Sequence, residues 1–334
     1  MPIAFLTGGT GFVGANLARA LLDAGWNVRA LARPGSDTRN LDGLALDIVA
    51  GDLAGPGLVE ALRGADALFH VAAHYSLWRR DRDDVLRTNV EGTSNILRAA
   101  RAAGVPRTVY TSSVAAIGVR HGGIADERYQ SPYAKLVGVY KKSKFLGEQV
   151  AREAAAAGQD VVIVNPSTPI GPWDVKPTPT GEIVLRFARG AMPAYVDTGL
   201  NLIDVRDCAA GHRLAFERGI PGERYILGNL NLGLRDIFVR LAHITRRTVP
   251  RFRVPQAVPL VYAAIGEYLL APLGFRPDVA LESVRMAKGP MYYDARKAVR
   301  DLGLPQNDVT VALADAVEWF SDHGYLDAPR KDHR

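Results

Sequence analysis

PIAFLTGGTGFVGANLARALLDAG (residues 2–25) runs from an apolar stretch through a glycine-punctuated turn into an amphipathic segment. PIAFLT (2–7) is short and almost wholly apolar, as a buried strand is. Gly8, Gly11 and Gly14 follow at G-x-x-G-x-x-G spacing. Phe12, Val13, Leu17 and Leu21 then recur on one side of a helix over 12–25 that Gly25 stops. Glycines at such a junction let the backbone turn tightly and come close to a pyrophosphate, whose charge the free N–H groups of the helix N-terminus favour. Thr7, Gly8, Gly11, Phe12, Val13 and Gly14 are therefore candidate dinucleotide contacts.

A glycine pattern alone is also what a tight strand-to-helix turn needs, so its neighbours decide. WNVRALA (26–32), LDIVAGD (46–52), ALFHVAA (67–73), RTVYTSS (107–113) and DVVIVN (160–165) read as further strands, several nearly continuous in apolar residues. Helical periodicity fills the gaps, most clearly over 83–103 and 132–157. The alternation predicts a Rossmann-type, doubly wound parallel sheet with helices on both faces, over residues 1–165. After Pro166 the texture changes: NPSTPIGPWDVKPTPTGE (165–182) has the composition of an irregular loop. Helices are predicted near 182–190, 204–218, 233–246 and 308–323, with a short strand at 223–228. Residues 166–327 thus read as a smaller, mostly helical, substrate-binding part interleaved with the sheet, and 328–334 as a disordered tail.

The 334 residues are 48% hydrophobic and 23% charged, with a formal net charge of +6. No run of like charge suggests a nucleic-acid arm, and a phosphate-bearing cofactor would satisfy the basic balance. Cys208 is the single cysteine, which rules out an internal disulfide and reads as a small packed residue. Histidines and carboxylates show no metal-ligand spacing, so no metal is expected. The apolar stretch at 254–275 contains three prolines and Glu267, too broken to span a bilayer, which leaves contact with a membrane surface open. No signal peptide is recognisable, and a cytoplasmic location is expected.

Beyond the second strand a carboxylate would favour NAD, whereas VRALARPGSD offers Arg33, suited to the 2′-phosphate of NADP. NADP is expected, with NAD possible. Asp52 and Leu53, closing the third strand, are placed to contact adenine.

VYKKSKF (139–145) sets Tyr140 four residues before Lys144, on one helical face. A phenol titrates near ~10, so proton transfer around neutrality asks for a shift of ~2–3 units. A lysine charge ~5 Å away supplies ~3 kcal/mol at an effective dielectric of ~20, which is enough. Ser112 and Ser113 end a parallel strand, and the carboxyl ends of such strands are where open sheets place ligands. Ser113 could then hydrogen-bond the reacting oxygen while Tyr140 gives or takes its proton.

TGGTGFVG, GDL, FHVAA, TNVEGT, YTSSVAAIG and YKKSK together resemble the extended short-chain dehydrogenases/reductases, the group of nucleotide-sugar epimerases and dihydroflavonol reductases, over nearly the whole chain. NPSTPIGP, KPTPTGEI, MPAYVDTGLNL and DAVEWFSDHGYL are similar to the hopanoid-associated sugar epimerase branch, whose members are often labelled dihydroflavonol-4-reductase-like. The resemblance implies a triad of Ser113, Tyr140 and Lys144, with Lys144 also holding the nicotinamide ribose. It implies that Phe69 to Ala73, including Val71 and Ala72, line the cofactor and that Asn89 lies beneath the site. Thr111 and the Pro166–Ser167–Thr168 turn would face the nicotinamide. A homodimer through helices 83–103 and 132–157 is implied as well.

Two departures bear on the substrate. VIVNPSTPIGP stands where nucleotide-sugar enzymes usually carry an R-x-x-N-x-Y-G-P-like stretch, and no acidic residue follows Ser113, which disfavours dehydration. His74, Tyr75 and Trp78, in HVAAHYSLW, are candidates for an aromatic lid and equally for buried anchors; Tyr195 and Asn201 are similarly balanced. His212, on the predicted 204–218 helix, reads as a surface or core residue rather than a catalytic one. The expected activity is hydride transfer at a secondary alcohol or ketone carbon of a sugar, polyol or lipid-linked small molecule. An epimerase and a ketone reductase would use the same residues at that step. A non-catalytic dinucleotide sensor is the remote alternative, disfavoured because Tyr140 and Lys144 are both kept.

Overall fold

The computed structural model describes residues 1–76, 78–120, 122–266, 281–286 and 289–327. The expected tail at 328–334 and the last part of the 254–275 stretch lie outside the described residues. In chain order the strands are β1 (Ile3–Thr7), β2 (Asn27–Ala32), β3 (Asp47–Ala50), β4 (Ala67–His70), β5 (Arg107–Thr111), β6 (Val161–Pro166), β7 (Thr168–Ile170), β8 (Ala194–Tyr195), β9 (Gly199–Asp204), β10 (Arg224–Leu227), β11 (Leu230–Gly233) and β12 (Phe252–Arg253). The helices are α1 (Phe12–Asp23), α2 (Leu58–Leu62), α3 (Arg82–Leu86), α4 (Gly92–Ala102), α5 (Val114–Ile117), α6 (Val139–Ala156), α7 (Pro179–Ala188), α8 (Val205–Arg218), α9 (Leu234–Thr245), α10 (Ala257–Ile265), α11 (Leu281–Met286), α12 (Arg296–Leu302) and α13 (Val309–Asp322).

A seven-stranded sheet in the order β10-β6-β5-β4-β1-β2-β3, parallel throughout, forms the Rossmann-like centre. Every residue of β4 and of β6 is buried, which explains why those strands are apolar on both sides rather than alternating. One face carries Phe69, Val109, Val162 and Val164 against α1, α8 and α12. The other turns Leu68, Tyr110, Val161 and Ile163 towards α2, α4 and α6. The strand order reverses between β1 and β4, and β1 leads into the glycine turn there.

The later part of the chain returns to this sheet: β10 is its edge strand, and α8 packs on α1. It also builds a second core, in which α7, α9 and α13 cover the three-stranded sheet β11-β9-β7. A two-stranded sheet pairs β12 with β8. This part is mostly helical as expected, with short strands added, and the loop expected over 165–182 contains β7. Trp173 links the two cores. It holds a left-handed backbone, φ 74°, with the Arg19 guanidinium of α1 3.6 Å above its ring.

Two helix boundaries differ from the periodicity. The 132–157 stretch opens with an isolated turn, Tyr133–Lys135, and α6 starts only at Val139 after Gly138 with φ 88°. The 83–103 stretch is α3 and α4 joined by a π-helical turn, Arg87–Glu91, which sets Asn89 inward at 2% exposure.

Candidate active site

The glycine turn is shaped for a ligand to approach the main chain closely. Gly8 holds φ +75°, and a Cβ there would lie 2.6 Å from the Ala72 nitrogen. At Gly14 an added Cβ would come within 2.1 Å of the Gly8 carbonyl oxygen. The turn, the N-terminus of α1 and the segment after β4 thus form one cradle, which suits the phosphates of a dinucleotide.

A hydrogen-bond chain runs beneath that cradle. The Ala72 N–H donates to Thr7 Oγ1 at 3.2 Å, and Thr7 Oγ1 meets His70 Nδ1 at 2.7 Å. His70 Nε2 meets Thr93 Oγ1 at 3.1 Å, and that hydroxyl donates to the Asn89 carbonyl at 2.8 Å. Because the Thr93 proton is spent on Asn89, Nε2 carries the imidazole proton and Nδ1 accepts from Thr7. Burial pushes the pKa of His70 down to about 3, with the Lys144 charge adding to it, so the ring is neutral. His70 falls within the Phe69–Ala73 stretch expected to line the cofactor, but its bridging role between Thr7 and Thr93 is not marked in FHVAA, where it reads as one more strand position.

Asn89 joins three segments. Its Oδ1 accepts from the His74 N–H at 2.7 Å, and its Nδ2 donates to the His74 carbonyl at 3.0 Å and to Ser143 Oγ at 2.9 Å. The segment after β4 is thereby pinned to α6, and Tyr75 lies edge-on to Tyr140 with ring centroids 4.5 Å apart. Of the aromatic-lid candidates, Tyr75 reaches the phenol. Trp78 is half-buried, its N–H bound to Ser76 Oγ, and His74 is held through its backbone.

Ser113 lies beside Tyr140, where its hydroxyl favours the ionised phenol. Ser113 Oγ also accepts from the Ala115 N–H at 3.1 Å, capping α5. Lys144 Nζ donates to the Thr111 carbonyl at 2.7 Å. The Thr111 hydroxyl faces the opposite side of the sheet and meets His212 Nε2 at 3.0 Å, so Thr111 touches the site through its main chain. His212 is fully buried, with Nδ1 2.7 Å from the Cys208 carbonyl, so of surface and core it takes the core.

The electrostatics differ from expectation. Burial pushes the pKa of Tyr140 up to about 12, against the hydrogen bond from Ser113, and does not leave an acidified phenol. Burial also lowers Lys144 to about 8, partly offset by the Glu148 carboxylate. The ammonium is spent on a carbonyl and is itself drawn out of water.

A second set of residues, unmarked in the sequence reading, anchors this arrangement. Glu148 continues the face of Tyr140 and Lys144 by one more turn, and that i+4 recurrence is the signal that could have found it. Glu148 accepts from Ser112 Oγ at 2.6 Å, Asn165 Nδ2 at 2.7 Å and Arg224 Nη1 at 2.9 Å. Asn165 Nδ2 also donates to the Ser113 carbonyl at 3.0 Å. Arg224 further binds the carbonyls of Glu127 and Tyr129.

Of the remaining candidates, Arg33 is exposed just past β2, and Asp52 accepts from the Ala54 N–H. The Leu53 carbonyl accepts from Asn95. Pro166 ends β6 and Thr168 begins β7; Ser167 Oγ between them is buried with no hydrogen-bond partner among the described residues. Tyr195 packs edge-on to Phe238 in the second core. Asn201 is not placed for substrate. It is fully buried, with Nδ2 bonded to Asn231 Oδ1 and the Tyr293 carbonyl, and Oδ1 accepting from the Asn229 N–H. Among the described residues no cluster could hold a metal, and no helix is long and apolar enough to cross a membrane.

The model of the NAD dependent epimerase/dehydratase family matches residues 4–228. A protein of Synechocystis sp. provisionally named dihydroflavonol 4-reductase is 59% identical, over 96% of this chain and 95% of its own. Sterol demethylase protein B of Methylococcus capsulatus is 36% identical, over 96% of this chain and 99% of its own. Among solved structures, gox2253 superimposes with a TM-score of 0.86 at 43% identity, covering 97% of this chain and 99% of that one. A nucleoside-diphosphate-sugar epimerase from Pseudomonas aeruginosa gives 0.80 at 28% identity, covering 97% and 99%.

Proposed function

The chain belongs to the NAD dependent epimerase/dehydratase family and is an NAD(P)-dependent enzyme of the short-chain dehydrogenase/reductase type; from that premise we propose that it reduces a ketone carbon of a lipid-like substrate to a secondary alcohol, with Tyr140 as proton donor. The observation that carries the reading is the placement of Tyr140, one helical turn before Lys144 on α6 and edge-on to Tyr75 of the segment that follows β4. A phenol held at the carboxyl ends of the parallel strands can pass its proton to an oxygen on which negative charge is growing.

The cradle of Gly8 and Gly14, the backbone at Ala72 and the buried Ser167 hydroxyl fit a dinucleotide. When bound, its nicotinamide supplies the hydride. Tyr140 passes its proton to the substrate oxygen, and Ser113 orients that oxygen by a hydrogen bond. Lys144, one helical turn on, offers positive charge to the tyrosinate left behind. Tyr75 forms an apolar wall beside the phenol. The lipid-like substrate is supported by the relative named for sterol demethylation and by the absence of the usual nucleotide-sugar stretch after β6.

NADP is the proposed cofactor. Arg33 stands where β2 ends, and the nearest following carboxylate, Asp37, is engaged by Arg39 Nη2 at 2.8 Å. Arg33→Ala is expected to weaken NADPH binding about tenfold and to leave NADH unchanged, measured by fluorescence titration.

An epimerase remains the second reading, favoured by the likeness to the sugar epimerase structure. Following NADPH absorbance with a 3-ketosteroid as probe separates the two. A reductase consumes one equivalent per product, whereas an epimerase interconverts substrate with no net consumption and would overturn this reading. Tyr140→Phe should lower kcat by about 10²–10⁴-fold while cofactor binding persists.

A further inference from the structure

Residues 237–266 contain Arg240, Arg246, Arg247, Arg251 and Arg253 and no aspartate or glutamate, so this one segment carries +5 where the whole chain carries +6. Arg246, Arg247, Arg251 and Arg253 are all exposed. Arg253 pairs with Asp197, and Arg240 donates to Thr310 Oγ1. No carboxylate among the described residues pairs with Arg246, Arg247 or Arg251.

Exposed apolar side chains belong to the same segment. Phe252, between Arg251 and Arg253, is 72% exposed. The α10 sequence, AVPLVYAAI, contains no charged residue. Leu260, Ala263 and Ala264 pack on Leu281 and Val284 of α11, while Val258 and Val261 face outward at 56% and 58% exposure. A helix apolar on its outer as well as its inner side is not an ordinary water-facing helix. Single exposed valines need no explanation, but three large apolar side chains set within a carboxylate-free, arginine-rich segment do.

We infer that this ridge docks on an anionic lipid surface, its arginines meeting headgroup phosphates while Phe252, Val258 and Val261 enter the acyl boundary. Charge selects this occupant over a second copy of the chain. A two-fold self-interface would set the uncompensated Arg246, Arg247 and Arg251 against the same arginines of the other copy, like charge against like. The inference goes beyond the reductive reading and does not depend on it, because no residue of the ridge belongs to the Tyr140 site.

The test sediments the full chain with vesicles of phosphatidylcholine alone and of phosphatidylcholine with about one third phosphatidylglycerol. Binding to the anionic vesicles should be at least about tenfold stronger and should fall as salt is raised. Val258→Glu with Val261→Glu, and separately Arg246→Glu with Arg247→Glu and Arg251→Glu, should each abolish sedimentation. Thermal unfolding and NADPH binding should stay as in the unchanged protein, which separates failure here from failure of the proposed reaction. Equal binding to both vesicles, or variants that sediment unchanged, would overturn the inference. So would a valine variant that only shifts the oligomeric state, or duplex DNA that binds the ridge more tightly than the vesicles do.

Discussion

Two carboxylates, one in each core, are withdrawn from water to the same degree and end in opposite states. Glu148, 1% exposed in α6, is driven up by burial, but Arg224 with Ser112, Asn165 and Arg152 more than reverses this and holds it below the usual range. Asp174, 2% exposed before α7, is driven up to about 7 by burial; the Thr178 N–H and hydroxyl pull it back only in part, and Glu182 adds to the rise. Depth is equal, so the partners decide: guanidinium groups keep a buried carboxylate ionised, while amide and hydroxyl donors alone do not. The first arrangement fixes the strand end that carries Ser113. The second fixes the entry to a helix of the other core.

Removing the charge at Glu148 should break the contrast most severely. Glu148→Gln keeps the shape but leaves Arg224, 6% exposed, without its counter-ion, at a cost of about 3–5 kcal/mol in denaturant unfolding. A loss below about 1 kcal/mol would mean that the guanidinium does not depend on this carboxylate. Asp174→Asn should act in the other direction. Between 3.8 and about 7 the folded protein binds a proton at Asp174 that the unfolded chain has released, so this group's contribution to stability falls as pH rises through that window. The variant should flatten the profile and be more stable than the unchanged protein at pH 8, by about 2–4 kcal/mol at most. Equal pH dependence in both proteins would show Asp174 to be ionised in the fold. Arg152→Ala should do least, about 0.5–1 kcal/mol, because Arg152 is 36% exposed and Arg224 already neutralises Glu148.

What could be read from the sequence follows from how local each signal is. β1, the glycine turn and α1 are contiguous, and Tyr140 and Lys144 lie one turn apart, so spacing alone carried them. The π-helical turn at Arg87–Glu91 was hidden because a single wide turn hardly disturbs the apolar period on either side, yet it aims Asn89. The delayed start of α6 was written in Pro132 and Gly138, which the apolar pattern of 132–157 overrode. β7 is three residues long with a proline in its centre, and composition says loop there; only pairing with β9 makes it a strand. Asn201 is balanced in the sequence between a substrate contact and a buried anchor, and its amide is consumed by Asn231 and the Tyr293 carbonyl, which no local pattern shows. Glu148, Asn165 and Arg224 converge from three distant segments, which no local pattern reveals. Spacing shows the charge one turn from Tyr140 but not the burial that acts against it.

Arg224 sits on β10, the last strand to join the large sheet, yet it supplies the charge that Glu148 needs. On the ribosome, all of α6 emerges many residues before that guanidinium is made. A nascent chain released near residue 165 would hold a stranded anion beneath its reaction centre and an unpaired edge at β6. Synthesis must therefore run most of the way to its end before the nucleotide-binding half can settle, and a gene fragment encoding that half alone should yield protein prone to clump.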